Sequence, residues 1–238
     1  MTVKKDIKFQ VGDRIRGLFS RYISELEQLP NIYNDINEYF LEDYPNYLEE
    51  SRRALKFPNA SEEELNKIYK MMKEYDDQQS EKLDLLIWFS VFSYQYHIFE
   101  FVLNKSCDVI QTGLKIQLKL TDLRGLGIER SKLYLKKVCE VNFPDSNSYW
   151  NLILLFRQLR HNIIHNNGIV EDTEKNKVLI NFIKARIDIS LNENQQVKFG
   201  IEFISYSNKI IIEFLSLIQG LLVNKYPATN LLALLLKK

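Results

Sequence analysis

The segment 85-LLIWFSVFSYQYHIFEFVL-103 is the most apolar stretch of the 238-residue chain, and it decides the fold class. Its aromatic side chains fall on nearly every face of a helix, so we expect this helix to lie at the centre of a helical bundle. Polar residues interrupt the stretch at Ser90, Ser93, Gln95, His97 and Glu100. These interruptions favour a buried core helix over a membrane span.

The composition favours an ordered, helix-rich protein. The chain has eight Gly and five Pro against 29 aromatic residues (14 Phe, 13 Tyr and 2 Trp). Its 32 basic and 31 acidic residues nearly cancel, so any contact with RNA must come from a local patch. Cys107 and Cys139 lack metal-ligand spacing, and the N-terminus lacks the apolar core of a signal peptide. We therefore expect a soluble cytoplasmic protein that is not inserted in a membrane.

Helical patterns predominate on the N-terminal side of this segment. Apolar residues at helical spacing predict a first helix that ends near Leu29, before Pro30. The aromatic-rich segment 31–57 is predicted to be helical with a break at Pro45. Ser61 and Glu64 form a capping box that begins another helix. The central helix is then expected to run from Ser80 to about Asn104.

The C-terminal half is predicted to be helical with one β-hairpin. Segment 106–120 is expected to be helical, and segment 121–141 to form a glycine-containing turn and a helix. Pro144 and the polar cluster 145–148 then predict a stop and a fresh N-cap. Alternating residues in 187–191 and 197–203 predict the hairpin, and a long apolar helix follows it. We therefore predict a single mainly α domain over residues 1–238, with a small β-hairpin insertion near residues 187–203, accessory helices over 1–78 and a core over 79–225.

A cluster of basic side chains lies in 150-WNLILLFRQLRHNIIHNNG-168. On a helix, one stripe is expected to face the core: Leu152, Leu155, Phe156, Leu159 and Ile163. The opposite side gathers the basic residues Arg157, Arg160, His161 and His165, with Trp150, Leu154 and Ile164 in the same arc. A helix that is apolar on both faces is expected to be buried twice, the second time against another helix or a partner subunit.

These residue types suit metal-free phosphodiester transfer. Histidine moves protons near neutral pH, and the guanidinium fork of arginine matches phosphate oxygens. His165 is expected in the last helical turn, because Asn166-Asn167-Gly168 is a natural helix stop. Arg160 and His165 lie about 140° apart on an ideal helix. We therefore expect either a distorted helix end or a composite site completed by a symmetry mate, and we favour the composite site.

The arrangement of Arg160, the polar His161, three further residues and His165 resembles the R-x(4–6)-H motif of the HEPN superfamily. The aromatic helix with Glu100, the segment 127-GIERSKLYLKKV-138 and the HNNG that closes the motif are also similar, over roughly residues 80–222. The resemblance implies an HEPN-like helical bundle over residues 79–225. It further implies a metal-independent, cofactor-free endoribonuclease, working as a homodimer with a composite active site in toxin–antitoxin or anti-phage defence. An antitoxin or other defence-system protein would be its partner.

The resemblance implies catalytic roles for Arg160 and His165 and a supporting role for His161. Arg157, Asn162 and Glu100 are further candidates for support or RNA binding. Arg157 can equally be a solvated charge, and Glu100 can either balance the arginine cluster or reach solvent. His97, inside the aromatic helix, is expected to be a core histidine with satisfied hydrogen bonds.

Plainer interpretations stay open. Arg160 and His165 could belong to a structural network of ion pairs and hydrogen bonds at a subunit interface. The chain could also be a non-catalytic HEPN-like dimeric module that binds a protein or nucleotide ligand, or a helical scaffold without a site. His161 and His165 have the i, i+4 spacing of metal ligands. No Glu follows His161 and no Cys is near, so we expect no metal.

Overall fold

The computed structural model describes residues 2–39, 46–47, 50 and 61–227. Within these residues, the elements in chain order are α1 (Thr2–Asn37), α2 (Glu62–Leu114), a 3-10 turn (Leu120–Asp122), α3 (Gly127–Lys137), α4 (Ser148–Asn166), α5 (Lys177–Lys184), β1 (Ile189–Leu191), β2 (Val197–Phe199) and α6 (Ile201–Lys225). The prediction of a mainly α chain with a small β-hairpin is confirmed. The predicted break at Pro45 lies outside the described residues.

The central helix is longer than predicted. α2 runs without interruption for 53 residues, so the predicted start at Ser80 and the predicted end near Asn104 are wrong. The capping box at its beginning is confirmed: the Ser61 backbone N donates to Glu64 Oε2 at 2.8 Å, and the Glu64 backbone N donates to Ser61 Oγ at 3.3 Å. The helix continues through Ser106, whose hydroxyl donates to the backbone oxygen of Val102 at 2.6 Å.

The first helix continues through proline. α1 contains Pro30 in its interior, so the predicted end before this residue is wrong. Proline removes one backbone donor and crowds the preceding turn. Leu29 and Tyr33 are nevertheless buried on either side of it. The free energy gained by burying this apolar stripe offsets the cost of the proline. A rule based on neighbouring residues alone does not take this burial into account.

The chain divides into two compact units. The first comprises Met1–Glu27, Ser93–Arg160 and Tyr206–Lys238. Its core contains a chain of aromatic contacts, in which Trp150 stacks on Phe214 with ring centroids 5.6 Å apart and Phe143 meets Trp150 edge-on at 5.0 Å. The prediction of one domain with accessory helices over 1–78 and a core over 79–225 stays a prediction.

The second unit comprises Gln28–Phe92 and His161–Ser205. It contains the hairpin, in which Ile189 pairs with Phe199 and Leu191 with Val197 in antiparallel register. The Phe199 ring lies 5.7 Å from Phe92, centroid to centroid. The predicted hairpin is confirmed with shorter strands, because helix α6 begins at Ile201. Helix α5 has no counterpart among the predicted elements.

Among the described helices, α6 alone has the length and composition needed to cross a membrane, and 44% of its apolar window is buried inside the protein. The core helix of a soluble protein can have the same length and composition. The cytoplasmic location expected from the sequence stays a prediction.

Candidate active site

Helix α4, which carries the basic cluster, has a defined cap at each end. At its start, Asn147 Oδ1 accepts a hydrogen bond from the backbone N of Tyr149 at 2.8 Å, which confirms the predicted N-cap within residues 145–148. At its end, Asn167 and Gly168 have φ angles of 51° and 77°. The Gly168 backbone N donates to the oxygen of Asn162 at 2.9 Å, closing the helix in a left-handed cap. His165 therefore lies in the last turn, as predicted.

The second face of α4 differs from the prediction. Trp150 is buried against aromatic rings of its own unit, so at this position the second face packs within the chain. Leu154 is half-buried and Ile164 is 48% exposed. The core stripe is also rotated: Ile153 is buried, whereas Leu152 and Leu155 are only half-buried. The described part of the chain thus leaves Ile164 available at the surface.

Arg160 is a half-buried cation without a carboxylate partner among the described residues. Its Cζ atom lies 5.5 Å from the centroid of the Tyr96 ring. Its Nε atom is buried, and within the described ranges no hydrogen bond reaches this atom. No ion pair joins Arg160 to a described acidic residue. Partial burial of an unpaired charge costs free energy. A cation–π contact offsets part of that cost.

Arg157, one turn earlier, is paired. Its Nη1 atom lies 3.8 Å from Glu129 Oε1, and Lys132 Nζ lies 2.7 Å from Glu129 Oε2. The Arg157 side chain is about half-exposed. It can therefore reach solvent or a ligand, but only in competition with the Glu129 carboxylate.

Glu100 lines a polar pocket and forms no ion pair with any described residue. The pocket has a volume of about 410 Å³, and its lining also includes Asn104, Asp108 and Arg130. A side chain at Gly127 would bring its Cβ to 2.8 Å from Glu100 Oε1, so the glycine permits this close approach. Glu100 was expected either to balance the arginine cluster or to reach solvent. Among the described residues, it forms no direct ion pair with that cluster.

The two histidines at the end of α4 are both exposed. The centroids of the His161 and His165 rings lie 4.7 Å apart. Loss of surrounding water lowers the pKa of His161 below its ordinary 6.5, and the nearby charges of His165 and Lys175 lower it further. A lower pKa favours the neutral imidazole near pH 7, and this is the form that can accept a proton.

Asn162 supports the helix end. It is 3% exposed, and its Oδ1 accepts a hydrogen bond from Asn166 Nδ2 at 3.1 Å. Its backbone oxygen also accepts the bond from Gly168 that closes the helix. This position leaves little of the Asn162 side chain for direct contact with RNA.

His97 is not a core histidine. Its side chain is exposed, and its ring centroid lies 6.4 Å from that of Phe101. The prediction of a buried, satisfied histidine is wrong because residue 97 lies on the outer face of α2, whose inner face buries Tyr96 and Phe99.

Two contacts of the site were missed from the sequence. Tyr96 lies under Arg160, and the hairpin residue Gln196 donates from Nε2 to the backbone oxygen of Asn167 at 2.8 Å. Both contacts join residues distant in sequence, and no local motif marks them.

Among the described residues, no group of three or more His, Cys, Asp or Glu side chains is placed to hold a metal ion. Chemically, the arrangement offers an unpaired guanidinium and two exposed imidazoles on one helix. No protein-family model matches the chain, and neither a curated protein nor a solved structure matches it.

Proposed function

We propose that the protein is a metal-independent endoribonuclease of the HEPN type that acts as a homodimer. The observation that carries this proposal is Arg160, a half-buried guanidinium without an anionic partner among the described residues. It lies on the same helix as the exposed His161 and His165. An arginine in this state favours a bound anion, and its planar fork matches the oxygens of a phosphodiester.

The proposed reaction is transesterification within the RNA strand. His165 takes the proton of the ribose 2′-hydroxyl, and the 2′-oxygen attacks the adjacent phosphorus. Arg160 stabilises the charge that develops on the phosphoryl oxygens. The bond from phosphorus to the 5′-oxygen breaks, and a second acid protonates that oxygen. The products are a 2′,3′-cyclic phosphate and a 5′-hydroxyl.

The other site residues have supporting roles in this proposal. The lowered pKa of His161 favours its own neutral imidazole near pH 7, and Asn162 fixes the helix turn that carries His165. Arg157 and Glu100 contact either the RNA or the second subunit of the dimer. This activity suits a cytoplasmic toxin or effector of anti-phage or toxin–antitoxin defence. An antitoxin or other partner protein would keep it inactive.

The alternative is a non-catalytic HEPN-like dimeric module that binds a protein or nucleotide ligand. One observation favours it: within the described ranges, no hydrogen bond orients the ring of His161 or His165. Catalytic bases are usually held by a third group. In this alternative Arg160 binds the phosphate of a nucleotide, and RNA stays intact.

RNA cleavage in the presence of EDTA tests the proposal. Wild-type protein is compared with Arg160→Ala and His165→Ala, and with the matched controls Arg124→Ala and His97→Ala, which replace exposed residues outside the site. We expect each site variant to lose at least about 100-fold in rate, the usual range for a general base or a charge-stabilising group, while both controls keep wild-type rates. Equal loss in His97→Ala, or activity that survives His165→Ala, would contradict the proposal.

A composite site is tested by mixing subunits. Arg160→Ala and His165→Ala chains are co-expressed with different tags, and the mixed dimers are isolated. If each site takes Arg160 from one copy and His165 from the other, one of the two sites in a mixed dimer is intact and activity returns. Mixed dimers as inactive as the two parent variants would mean that each site belongs to one chain.

A further inference from the structure

The ring beneath Arg160 is itself fixed. Tyr96 lies on α2 and is 2% exposed. Its ring packs at an angle against Phe99, with centroids 6.2 Å apart. Burial raises the pKa of Tyr96, and Glu100 acts in the same direction, so the phenol stays neutral. Arg160 therefore rests on a rigid, uncharged aromatic surface.

The two arginines of the helix are held in different ways. Arg157 faces the carboxylate of Glu129 at 3.8 Å, which offsets part of its charge. Arg160 instead has the π face of Tyr96 at 5.5 Å and no described carboxylate within ion-pair distance. A carboxylate would compete with an incoming phosphate for the same donors. An aromatic ring attracts the guanidinium and leaves its positive charge uncompensated.

The geometry points to Tyr96 as the positioning residue of Arg160. Its ring orients the guanidinium plane, while the buried Nε edge makes no hydrogen bond to a described residue. The terminal nitrogens stay available to an anion. This inference rests on the proposed function for the identity of that anion, the scissile phosphate of RNA.

The test varies the ring without changing its shape. Tyr96→Phe keeps the π face, and a series of phenylalanines with one, two and three ring fluorines at position 96 withdraws electron density step by step. In the full-length protein, Tyr96→Phe is the parent of the series, and the kcat of each fluorinated variant is compared with its kcat. Across the fluorinated series kcat should fall progressively, by about 2- to 30-fold in total, the range that a cation–π contact allows. A purely structural role would give equal kcat values across the series, and that result overturns the inference.

A second measurement does not require cleavage. The Arg160 Nε–Hε signal is followed by NMR in the same variants, with Arg160→Lys to assign it, while inorganic phosphate is added. We expect the signal to shift with each added fluorine and the affinity for phosphate to decrease along the series. If neither the chemical shift nor the phosphate affinity changes with the number of fluorines, the inference is overturned. If RNA is never cleaved but this dependence is found, the proposed function fails and the positioning role stands.

Discussion

Gln196 Nε2 donates a hydrogen bond to the backbone oxygen of Asn167 at 2.8 Å, and this bond ties the β-hairpin to the end of the helix that carries His165. Two backbone bonds strengthen the connection: Val197 N donates to the oxygen of Gly168, and Val170 N to that of Gln195, each at 2.9 Å. The hairpin thus holds the turn that follows the proposed catalytic histidine.

Replacing Gln196 should loosen that turn. Gln196→Met keeps the length of the side chain but removes the donor, so we expect a loss of about 1 kcal/mol in the free energy of unfolding. We also expect faster hydrogen exchange at the Gly168 amide, measured by NMR. Gln219→Met, at a half-exposed position on α6, is the control and should leave that amide unchanged. Unaltered exchange in Gln196→Met would show that the backbone bonds hold the turn alone.

Gly168 cannot accept a side chain. Its φ is 77°, and a Cβ would lie 2.5 Å from Cζ of the Phe89 ring. Gly168→Ala should therefore cost about 2 kcal/mol in denaturant unfolding, from backbone strain and overpacking together. Gly220→Ala is the matched control: nothing lies within 4 Å of its Cβ, and alanine favours a helix over glycine. We expect that control to stabilise the protein by about 1 kcal/mol. Equal effects at both glycines would contradict this account of the turn.

The titration of His161 should depend on His165. NMR titration is expected to give His161 a pKa below 6.5, from desolvation first and from the charges of His165 and Lys175 next. His165→Gln removes one of these charges, so the pKa of His161 should rise towards 6.5. Since folding lowers this pKa, the contribution of His161 to stability is present above pH 6.5 and is lost as the pH falls through the lowered value. An unchanged pKa in His165→Gln would mean that the two rings do not interact.

The capping box of α2 should act above the pKa of Glu64. Hydrogen bonds from the Ser61 backbone and hydroxyl lower the pKa of Glu64 below 4.5. Their stabilising effect is therefore present above pH 4.5 and is lost as the pH falls through the lowered pKa. We expect Ser61→Ala to have a lower Tm than wild type near pH 7, with a smaller difference near pH 3. A difference independent of pH would exclude the carboxylate from the cap.

The sequence predicted the features that depend on neighbouring residues. The Ser61–Glu64 capping box and the stop at Asn167 and Gly168 both follow from short-range hydrogen bonding and backbone preference, and both are present. Predictions failed where packing outweighed a local rule. α1 passes Pro30 and α2 passes Ser80, because burial and continued hydrogen bonding offset weak local signals.

In the candidate site, too, local features were predictable from the sequence and long-range contacts were not. Helical spacing placed Arg160, His161 and His165 on one helix, with His165 in its last turn. The contacts of that helix could not be derived in this way, because Tyr96 and Gln196 are distant in sequence. The exposed position of His97 also depends on which face of α2 packs against its unit, and aromatic residues on nearly every face leave that choice undetermined.

The most direct test of the central claim is the chemistry of the RNA ends. Purified wild-type protein is incubated with a defined RNA in EDTA, and the ends of the fragments are identified by mass spectrometry, beside His165→Ala. We expect 2′,3′-cyclic phosphate and 5′-hydroxyl ends that are absent from the His165→Ala reaction. Fragments with 3′-hydroxyl ends, or cyclic phosphates that persist in His165→Ala, would contradict the assignment of Arg160 and His165 as the catalytic residues.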